Sequence, residues 1–340
     1  MLTVLLTSPR VAPGLLSWQA WSALRSASRV LAGSAGHPQL PALTAAGVRA
    51  EVVDAPADDS SLAAMLSAAA ASGAVVWLAP AGEQADAGLL SALSVPCQVL
   101  HGSHDQPGAH LLDVVGVMDT LRTSCPWDRE QTHSSLLSYL LEEAYETVET
   151  VESGDLTALR DELGDVLLQV AFHARIAAER SAADGGFTID DVADVLVAKL
   201  KRRHPHVFGK VTVSSADDVS ANWEEIKKIE RAERSVATGS RPPSVLDGVA
   251  FGQPALSLAA QLQRRAERAG VPYDAGSVDP GAAGEPAGAE LGVELMRLVA
   301  RAREEGTDPE LALRAAARRL AEQVRDWESS GPRPAPGADI

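Results

Sequence analysis

Leu140-Leu141-Glu142-Glu143-Ala144-Tyr145-Glu146, followed by Glu162-Leu163-Gly164-Asp165, is the stretch that decides the fold of this chain. Apolar residues recur around it at helical spacing, from Leu136 to Val151 and again from Leu156 to Ala174. Gly154 and Asp155, between the two stripes, are typical of a helix end and a helix start. The pattern predicts two neighbouring helices, and the two quoted stretches supply five carboxylates to them.

These carboxylates indicate a cation site. Spacings of three and four place them on one side of each helix. Glu143 and Glu162 fall on the flank of the apolar stripes, where two packed antiparallel helices bring carboxylates together. Such a cluster repels itself and raises its own pKa values, and a divalent cation removes that cost. Oxygen-only ligands suit Mg²⁺ or Mn²⁺, which are commonly shared with substrate phosphates.

Two other interpretations compete with this one. A Glu-Glu-x-x-Glu run on a helix is most often a solvated face, although the second carboxylate pair on the next helix weakens that reading. A di-iron bundle needs two Glu-x-x-His motifs. Only Glu130 with His133 has that spacing, so the bundle is disfavoured.

The first third of the chain has a different pattern. Short apolar runs bounded by Gly, Pro or Asp alternate with helical stretches, which predicts a small α/β domain with a parallel sheet over residues 1–108. The predicted strands are Leu2–Leu6, Val48–Val53, Ala74–Ala79 and Val95–His101. The predicted helices are Leu15–Leu31, Ser60–Ala71 and Glu83–Leu93.

Beyond residue 111 nearly everything has helical period, and the chain is expected to be mainly α. Thr188 with Asp191 forms a capping box for a helix that runs to Arg203. The remaining predicted helices are Asn222–Arg234, Leu256–Ala269, Leu291–Glu304 and Leu311–Trp327. We predict an all-α domain at 111–235, a second helical unit at 244–328 and a disordered tail at 329–340.

The second helical unit resembles a shortened copy of the first. Glu290-Leu291-Gly292-Val293 corresponds to Glu162-Leu163-Gly164-Asp165, and Val271-Pro272-Tyr273-Asp274 to Cys125-Pro126-Trp127-Asp128. The two landmarks keep their order but lie closer together in the second copy, by about the length of one helix. Val293 replaces Asp165 and no Glu-Glu-x-x-Glu precedes it. We therefore expect a catalytically inactive repeat that packs or dimerises.

Composition excludes several classes of protein. The 340 residues predict two or three domains, and 46% hydrophobic residues exclude global disorder. A net charge of −16 disfavours stable nucleic acid binding. Cys97 and Cys125 form no disulfide framework or zinc cluster. Because no apolar run approaches the ~18 residues of a membrane span, a soluble cytoplasmic protein without a membrane partner is expected.

The acidic stretch and its flanks together resemble the MazG nucleoside triphosphate pyrophosphohydrolases. The acidic signature is Glu-Glu-x-x-Glu followed by Glu-x-x-Asp. The matching flanks are Cys125-Pro126-Trp127-Asp128, Glu130-Gln131-Thr132-His133, Lys199-Leu200-Lys201-Arg202-Arg203-His204-Pro205-His206-Val207-Phe208 and Trp223-Glu224-Glu225-Ile226-Lys227. The resemblance is close over 118–235 and looser over 244–328.

The resemblance implies an all-α catalytic core, a homodimer, Mg²⁺, and hydrolysis of (deoxy)nucleoside triphosphates to monophosphates and pyrophosphate in a nucleotide-pool or sanitation role. It implies that Glu143, Glu146, Glu162 and Asp165 bind metal, and that Glu142 is a ligand or orients the attacking water. A scaffold without catalysis is the rival hypothesis. The intact first set of carboxylates, set against the eroded second set, argues for the enzyme.

Two further groups are candidates for substrate binding. Lys199, Arg202, Arg203 and His204 either grip triphosphate oxygens or complement the dipole at a helix end. Trp127 either stacks on a base or serves as an apolar anchor.

The N-terminal region resembles the start of the tetrapyrrole methylases, which are fused to MazG domains in some proteins. Gly14-Leu15-Leu16, Gln19-Ala20, Ala23-Leu24 and Ala27 match the first helix of that fold. Thr7-Ser8-Pro9-Arg10 replaces the Gly-rich loop for S-adenosylmethionine. We expect a remnant without methylase activity.

One helix is predicted to need two apolar partners. The helix Leu156–Arg180 carries a second strip, Leu168 and Phe172, roughly opposite its main stripe. An isologous dimer would cover this strip, and the alternative is that the C-terminal copy covers it.

Overall fold

A computed structural model describes residues 1–82, 87–212, 215, 219, 222, 226, 229–230, 244–272 and 289–329. The chain divides into two compact units, Met1–Val197 and Ala198–Ile340. The architecture is mainly α, with one small parallel sheet in the N-terminal region. Within the described ranges, none of the helices has the length and apolar character needed to cross a bilayer.

The sheet consists of parallel strands in the order β3-β2-β4-β1-β5. The strands are β1 (Leu2–Leu6), β2 (Arg29–Ala32), β3 (Ala50–Val52), β4 (Val75–Leu78) and β5 (Cys97–His101). β1 pairs with β4 on one side and β5 on the other, and all its residues are buried. A strand covered on both faces reads as a nearly continuous apolar run, and in Leu2–Leu6 only Thr3 interrupts it.

Helices cover both faces of this sheet. They are α1 (Trp18–Ser26), α2 (Leu40–Ala45), α3 (Asp59–Ala70) and α4 (Ala87–Ala92). Val4 and Leu6 of β1 belong to a core cluster with α3 and α4, whereas Leu5 packs in a second cluster with α1 and α2. Alternate strand residues therefore supply two separate cores.

The sequence prediction of this region was right in most elements, but it missed the short helix α2 and assigned residues 29–31 to a helix. Leu2–Leu6 is confirmed, and the other three predicted strands exist with trimmed ends. The helix predicted for Leu15–Leu31 ends at Ser26, and Arg29–Ala32 is strand β2. β2 is short and no Gly or Pro separates it from α1. Its strand character comes from pairing with β3 and β4, which local periodicity does not report.

The first unit continues into a helical region. Its helices are α5 (Leu111–Ser124), α6 (Pro126–Glu130), α7 (Leu137–Ser153), α8 (Leu156–Ala177) and α9 (Ile189–Arg203), which runs on into the second unit. α8 packs on both α7 and α5. The predicted capping box of α9 is confirmed, because Thr188 and Asp191 bind each other's backbone N–H groups.

The second apolar strip of α8 finds a partner within the chain. Phe172 is buried in a cluster with Met118 of α5 and Leu136, whereas Leu168 stays partly exposed. The argument that Phe172 needs a second subunit was therefore wrong, because α5 covers it. The helix pattern indicated an additional apolar contact but not which element would provide it.

The second unit contains α10 (Pro205–Phe208), α11 (Ala255–Arg268), α12 (Ala289–Glu304) and α13 (Pro309–Ser329). α11 packs on α12 and α13. Buried Gln263 of α11 donates to the Met296 carbonyl of α12 at 2.9 Å. Most of the predicted helix Asn222–Arg234, Trp223, the landmark Tyr273-Asp274 and the tail 330–340 lie outside the described residues. The repeat relationship and the domain boundaries stay predictions.

Candidate metal centre

Three of the predicted carboxylates converge between α7 and α8. Glu143 and Glu146 lie one turn apart on α7, and Glu162 lies on the facing side of α8. One oxygen from each side chain lies within 4.8 Å of the others. The spacing of three on α7 is what allows two carboxylates to point at a third on the next helix.

A tight connection between α7 and α8 makes this convergence possible. α7 ends at Gly154, which adopts the left-handed conformation with φ of 75°. Asp155 then caps α8 by accepting hydrogen bonds from the N–H groups of Thr157 and Ala158 at 2.9 and 3.0 Å. The sequence predicted both roles. With only two residues between the helices, Glu143, Glu146 and Glu162 are held at one level of the hairpin.

The pKa values of two of the three carboxylates are raised. Partial burial, followed by the charges of Asp165 and Glu146, raises the pKa of Glu143. Partial burial, followed by the charges of Glu146 and Asp165, raises the pKa of Glu162. Carboxylates that raise one another's pKa form a site that gains stability when a cation binds. The donor set is oxygen only, which fits a hard divalent cation such as Mg²⁺.

The two other predicted ligands lie beside this group. Asp165 is exposed on α8, one turn after Glu162, and acts on the pKa values of both Glu143 and Glu162. Glu142 is exposed on α7 and also contributes to the raised pKa of Glu143. Neither belongs to the group whose oxygens lie within 4.8 Å of one another. Their roles as ligands stay predictions.

Trp127 lies on α6, which follows α5 and precedes α7 in the sequence, and it is half exposed. Its indole makes edge contacts with Tyr139 of α7 and Phe172 of α8, at centroid distances of 5.9 and 6.4 Å. Arg122 steadies α6 and the following turn by donating to the carbonyl oxygens of Asp128 and Gln131. The ring is therefore anchored on one side, and 50% of the residue surface remains accessible. That combination is compatible with both roles predicted for it.

The predicted phosphate-binding group lies in the second compact unit and divides into two kinds of contact. His204 donates from Nδ1 to the Leu200 carbonyl at 2.7 Å, so it caps the C-terminal end of α9. Arg202 and Arg203 both bind the carboxylate of Glu230, at 2.6 and 2.7 Å. Lys199 is partly buried on α9. Sequence analysis missed Glu230, because nothing in its charged segment marks it as the partner of both arginines.

The loop after β1, residues 7–10, forms ion pairs with residues from other parts of the first unit. Arg10 forms an ion pair with Asp105 at 2.7 Å and another with Asp113 at the start of α5. A side chain at Gly82 would lie 3.2 Å from Pro9, so the loop packs closely here. The expected lack of methylase activity stays a prediction.

His133, in the turn before α7, contacts His173 of α8, and sequence analysis did not predict this pair. The Nδ1 atoms of His133 and His173 lie 2.8 Å apart, and the rings are parallel with centroids 5.1 Å apart. Because the Nδ1 of one ring donates a hydrogen bond to the Nδ1 of the other, only one of the two Nδ1 atoms carries a proton. Burial, followed by the charge of His133, lowers the pKa of His173 from its ordinary value of 6.5.

This pair should make the protein less stable in mild acid. His173 is neutral in the folded state at a pH where the unfolded chain binds a proton, so its contribution to stability is complete above pH 6.5 and is lost as the pH falls through the lowered pKa. In His173→Asn, an uncharged amide replaces the ring nitrogen. We expect the decrease in Tm between pH 7.5 and 5.5 to become shallower.

His110→Asn is measured alongside as the replacement of an exposed histidine that lies outside this pair, 3.6 Å from Asp113. Calorimetry at several pH values measures all three proteins. An equally steep profile in His173→Asn would contradict the assignment of the acid sensitivity to this pair.

A family model and several similar proteins indicate the same family for this chain. A family model described as the MazG nucleotide pyrophosphohydrolase domain matches residues 131–208, which include all five predicted acidic residues. The chain is 49% identical over 231 residues to "Uncharacterized 26.1 kDa protein in blaB 3'region" of Streptomyces cacaoi. That match covers 68% of this chain and 88% of the relative.

Two similar proteins have names that state an activity. The chain is 44% identical over 214 residues to "Nucleoside triphosphate pyrophosphohydrolase" of Mycobacterium tuberculosis, covering 58% of this chain and 62% of that protein. It is 38% identical over 235 residues to "Nucleoside triphosphate pyrophosphohydrolase/pyrophosphatase MazG" of Thermotoga maritima, covering 64% of this chain and 84% of that protein.

Proposed function

The chain belongs to the MazG family of nucleotide pyrophosphohydrolases, and from that membership we propose that it hydrolyses nucleoside triphosphates to monophosphates and pyrophosphate with the help of a divalent cation. It is a hydrolase that acts on phosphorus anhydrides. The observation that carries the proposal is the convergence of Glu143, Glu146 and Glu162. A role in controlling or sanitising the nucleotide pool is part of the proposal.

The carboxylate group fits a divalent cation by its chemistry. Its donors are all carboxylate oxygens, and partial burial followed by the charges of neighbouring carboxylates raises the pKa values of Glu143 and Glu162. We propose that Glu143, Glu146 and Glu162 hold Mg²⁺, with Mn²⁺ as an alternative, and that Asp165 completes the set. When bound, the metal would offset negative charge on the phosphates and make water a better nucleophile.

The residues of the chain then have distinct tasks. Glu143, Glu146 and Glu162 fix the position of the reaction on the α7–α8 hairpin. Glu142 is either a further ligand or the group that orients the attacking water, and its exposure on α7 is compatible with both. We propose that the water oxygen bonds to the α-phosphorus while the bond from that phosphorus to the bridging oxygen breaks, so that pyrophosphate leaves.

Two groups are proposed to bind the rest of the substrate. Trp127 offers an exposed aromatic surface on which a base can stack. Arg202 and Arg203, with Lys199, are proposed to bind the triphosphate, since guanidinium groups recognise phosphate oxygens in pairs. His204 already bonds to the helix backbone, so we assign it to the end of α9 rather than to direct phosphate contact.

We also propose a homodimer formed through the α7–α8 hairpin. Its apolar side chains are poorly covered within one chain: Leu141 is 58% exposed, Leu163 is 51% exposed, and Leu137, Val151 and Leu156 are exposed to a similar or greater degree. None of the residues of α7 itself is buried. An amphipathic hairpin with this much exposed apolar surface fits the self-complementary interface of a two-fold dimer.

Hydrolysis in ¹⁸O-labelled water tests the proposed reaction. Attack at the α-phosphorus puts the label in the nucleoside monophosphate, and we expect unlabelled pyrophosphate and no nucleoside diphosphate intermediate. Mass spectrometry of the products measures both. Label in pyrophosphate would move the attack to the β-phosphorus. A diphosphate product with free phosphate, or no turnover of any triphosphate with Mg²⁺, would contradict the proposed function.

A further inference from the structure

Two arginines of the proposed triphosphate site already hold an anion that belongs to the chain itself. Arg202 and Arg203 are the last two residues of α9. Arg202 donates to Oε1 of Glu230 from Nε at 2.8 Å and lies 2.6 Å from it through Nη2. Arg203 donates to Oε2 from Nη2 at 2.7 Å and to Oε1 from Nε at 3.4 Å. Both guanidinium groups therefore present the same Nε–Nη2 edge to one carboxylate.

Arginine uses this edge to form bidentate hydrogen bonds with carboxylate and phosphate groups. Glu230 is 8% exposed, whereas the side chain of Arg202 is 53% exposed. Two guanidinium groups face this one carboxylate. A phosphate group offers more oxygens to the same N–H groups than a carboxylate does.

The carboxylate itself stays ionised. Hydrogen bonding from Arg203, opposed by burial and reinforced by Arg202, lowers the pKa of Glu230 to about 2. Its negative charge is thus present throughout the physiological pH range. A phosphate oxygen and Glu230 cannot both occupy the same N–H groups, so binding one requires release of the other.

We propose that Glu230 is an intramolecular competitor for the substrate, whose carboxylate occupies the position that a triphosphate group takes between Arg202 and Arg203. The proposal rests on the proposed function, because it takes these arginines as the triphosphate site. Glu230 then sets the substrate affinity. It does not touch the reacting atoms, so its removal should alter KM and leave kcat in place.

Glu230→Gln in the full chain tests this, because the amide keeps the size of the side chain and removes its charge. We expect KM for a nucleoside triphosphate to fall roughly 10-fold, equivalent to about 1.4 kcal/mol, with kcat within about twofold of the wild-type value. Glu267→Gln is the matched control. Glu267 also binds an arginine, Arg303 at 2.5 Å, but outside the proposed site, and its removal should leave KM unchanged.

A binding measurement separates this proposal from the proposed function. Calorimetric titration with inorganic tripolyphosphate in the absence of metal should show tighter binding to Glu230→Gln than to the wild-type protein. This comparison stands even if no nucleotide is hydrolysed, an outcome that would remove the proposed function alone. If Glu230→Gln does not fold, Glu230→Asp is measured instead, and its shorter carboxylate should bind tripolyphosphate more tightly than the wild-type protein. An unchanged or weaker affinity in the folded variant would overturn the proposal, since a purely structural carboxylate positions the arginines and its loss raises KM.

Discussion

Replacing Glu143 or Glu162 by alanine should abolish turnover while the protein remains folded. Both side chains supply oxygens to the carboxylate group, and removing either leaves an incomplete cation site. We expect kcat to fall by more than about 100-fold, because loss of a residue that only supports a metal ligand already costs about 10–100-fold. Pyrophosphate release in the presence of Mg²⁺ measures the effect.

The fold should survive these substitutions for an electrostatic reason. The raised pKa values of Glu143 and Glu162 mean that the folded state disfavours their charged forms. Removing one carboxylate relieves repulsion, so the Tm of the metal-free protein should stay the same or rise. A variant that unfolds, or one with the turnover of the wild-type enzyme, would contradict the assignment.

Glu290 offers the matched control. It is an exposed carboxylate on α12, and in the predicted second copy it stands where Glu162 stands in the first. Val293 replaces the partner that Asp165 provides. Glu290→Ala should therefore keep wild-type turnover, and a large decrease in kcat would mean that the second copy contributes to catalysis.

The α7–α8 hairpin was predictable because its determinants are local. Gly154 and Asp155 fix the connection, and the apolar stripes fix which flank carries the carboxylates. Strand β2 was missed for the opposite reason. Val30 and Leu31 form part of a strand only because β3 and β4, distant in sequence, pair with them.

The same distinction applies to the candidate site. Glu143 and Glu146 share a helix with a recognisable spacing, so they could be grouped before the fold was known. By contrast, His133 contacts His173, which lies on α8, 40 residues later in the sequence. The ion pairs of Arg202 and Arg203 with Glu230 likewise depend on how a later segment of the chain packs. Charge pattern made the arginines candidates either for phosphate binding or for complementing a helix dipole, and only the three-dimensional arrangement identifies Glu230 as the carboxylate that they bind.

Removing divalent cations should abolish activity, and adding Mg²⁺ should stabilise one part of the molecule. A ligand that binds only the folded state at 100 times its Kd adds about 2.7 kcal/mol, which for a unit of about 200 residues corresponds to a Tm increase of roughly 5–10 °C. The carboxylates belong to the unit Met1–Val197, so the unfolding transition of that unit should move.

Calorimetry with EDTA and with excess Mg²⁺ measures this shift, and the variant that combines Glu143→Ala and Glu162→Ala is its control. In the wild-type protein, the cation replaces repulsion among Glu143, Glu146 and Glu162 with attraction. In the variant only Glu146 of these three remains, so the increase in Tm should nearly vanish. An equal shift in both proteins would place the cation elsewhere, and full activity in EDTA would exclude it from the reaction. A shift that disappears together with turnover would connect the carboxylate group, the cation and hydrolysis in a single measurement series.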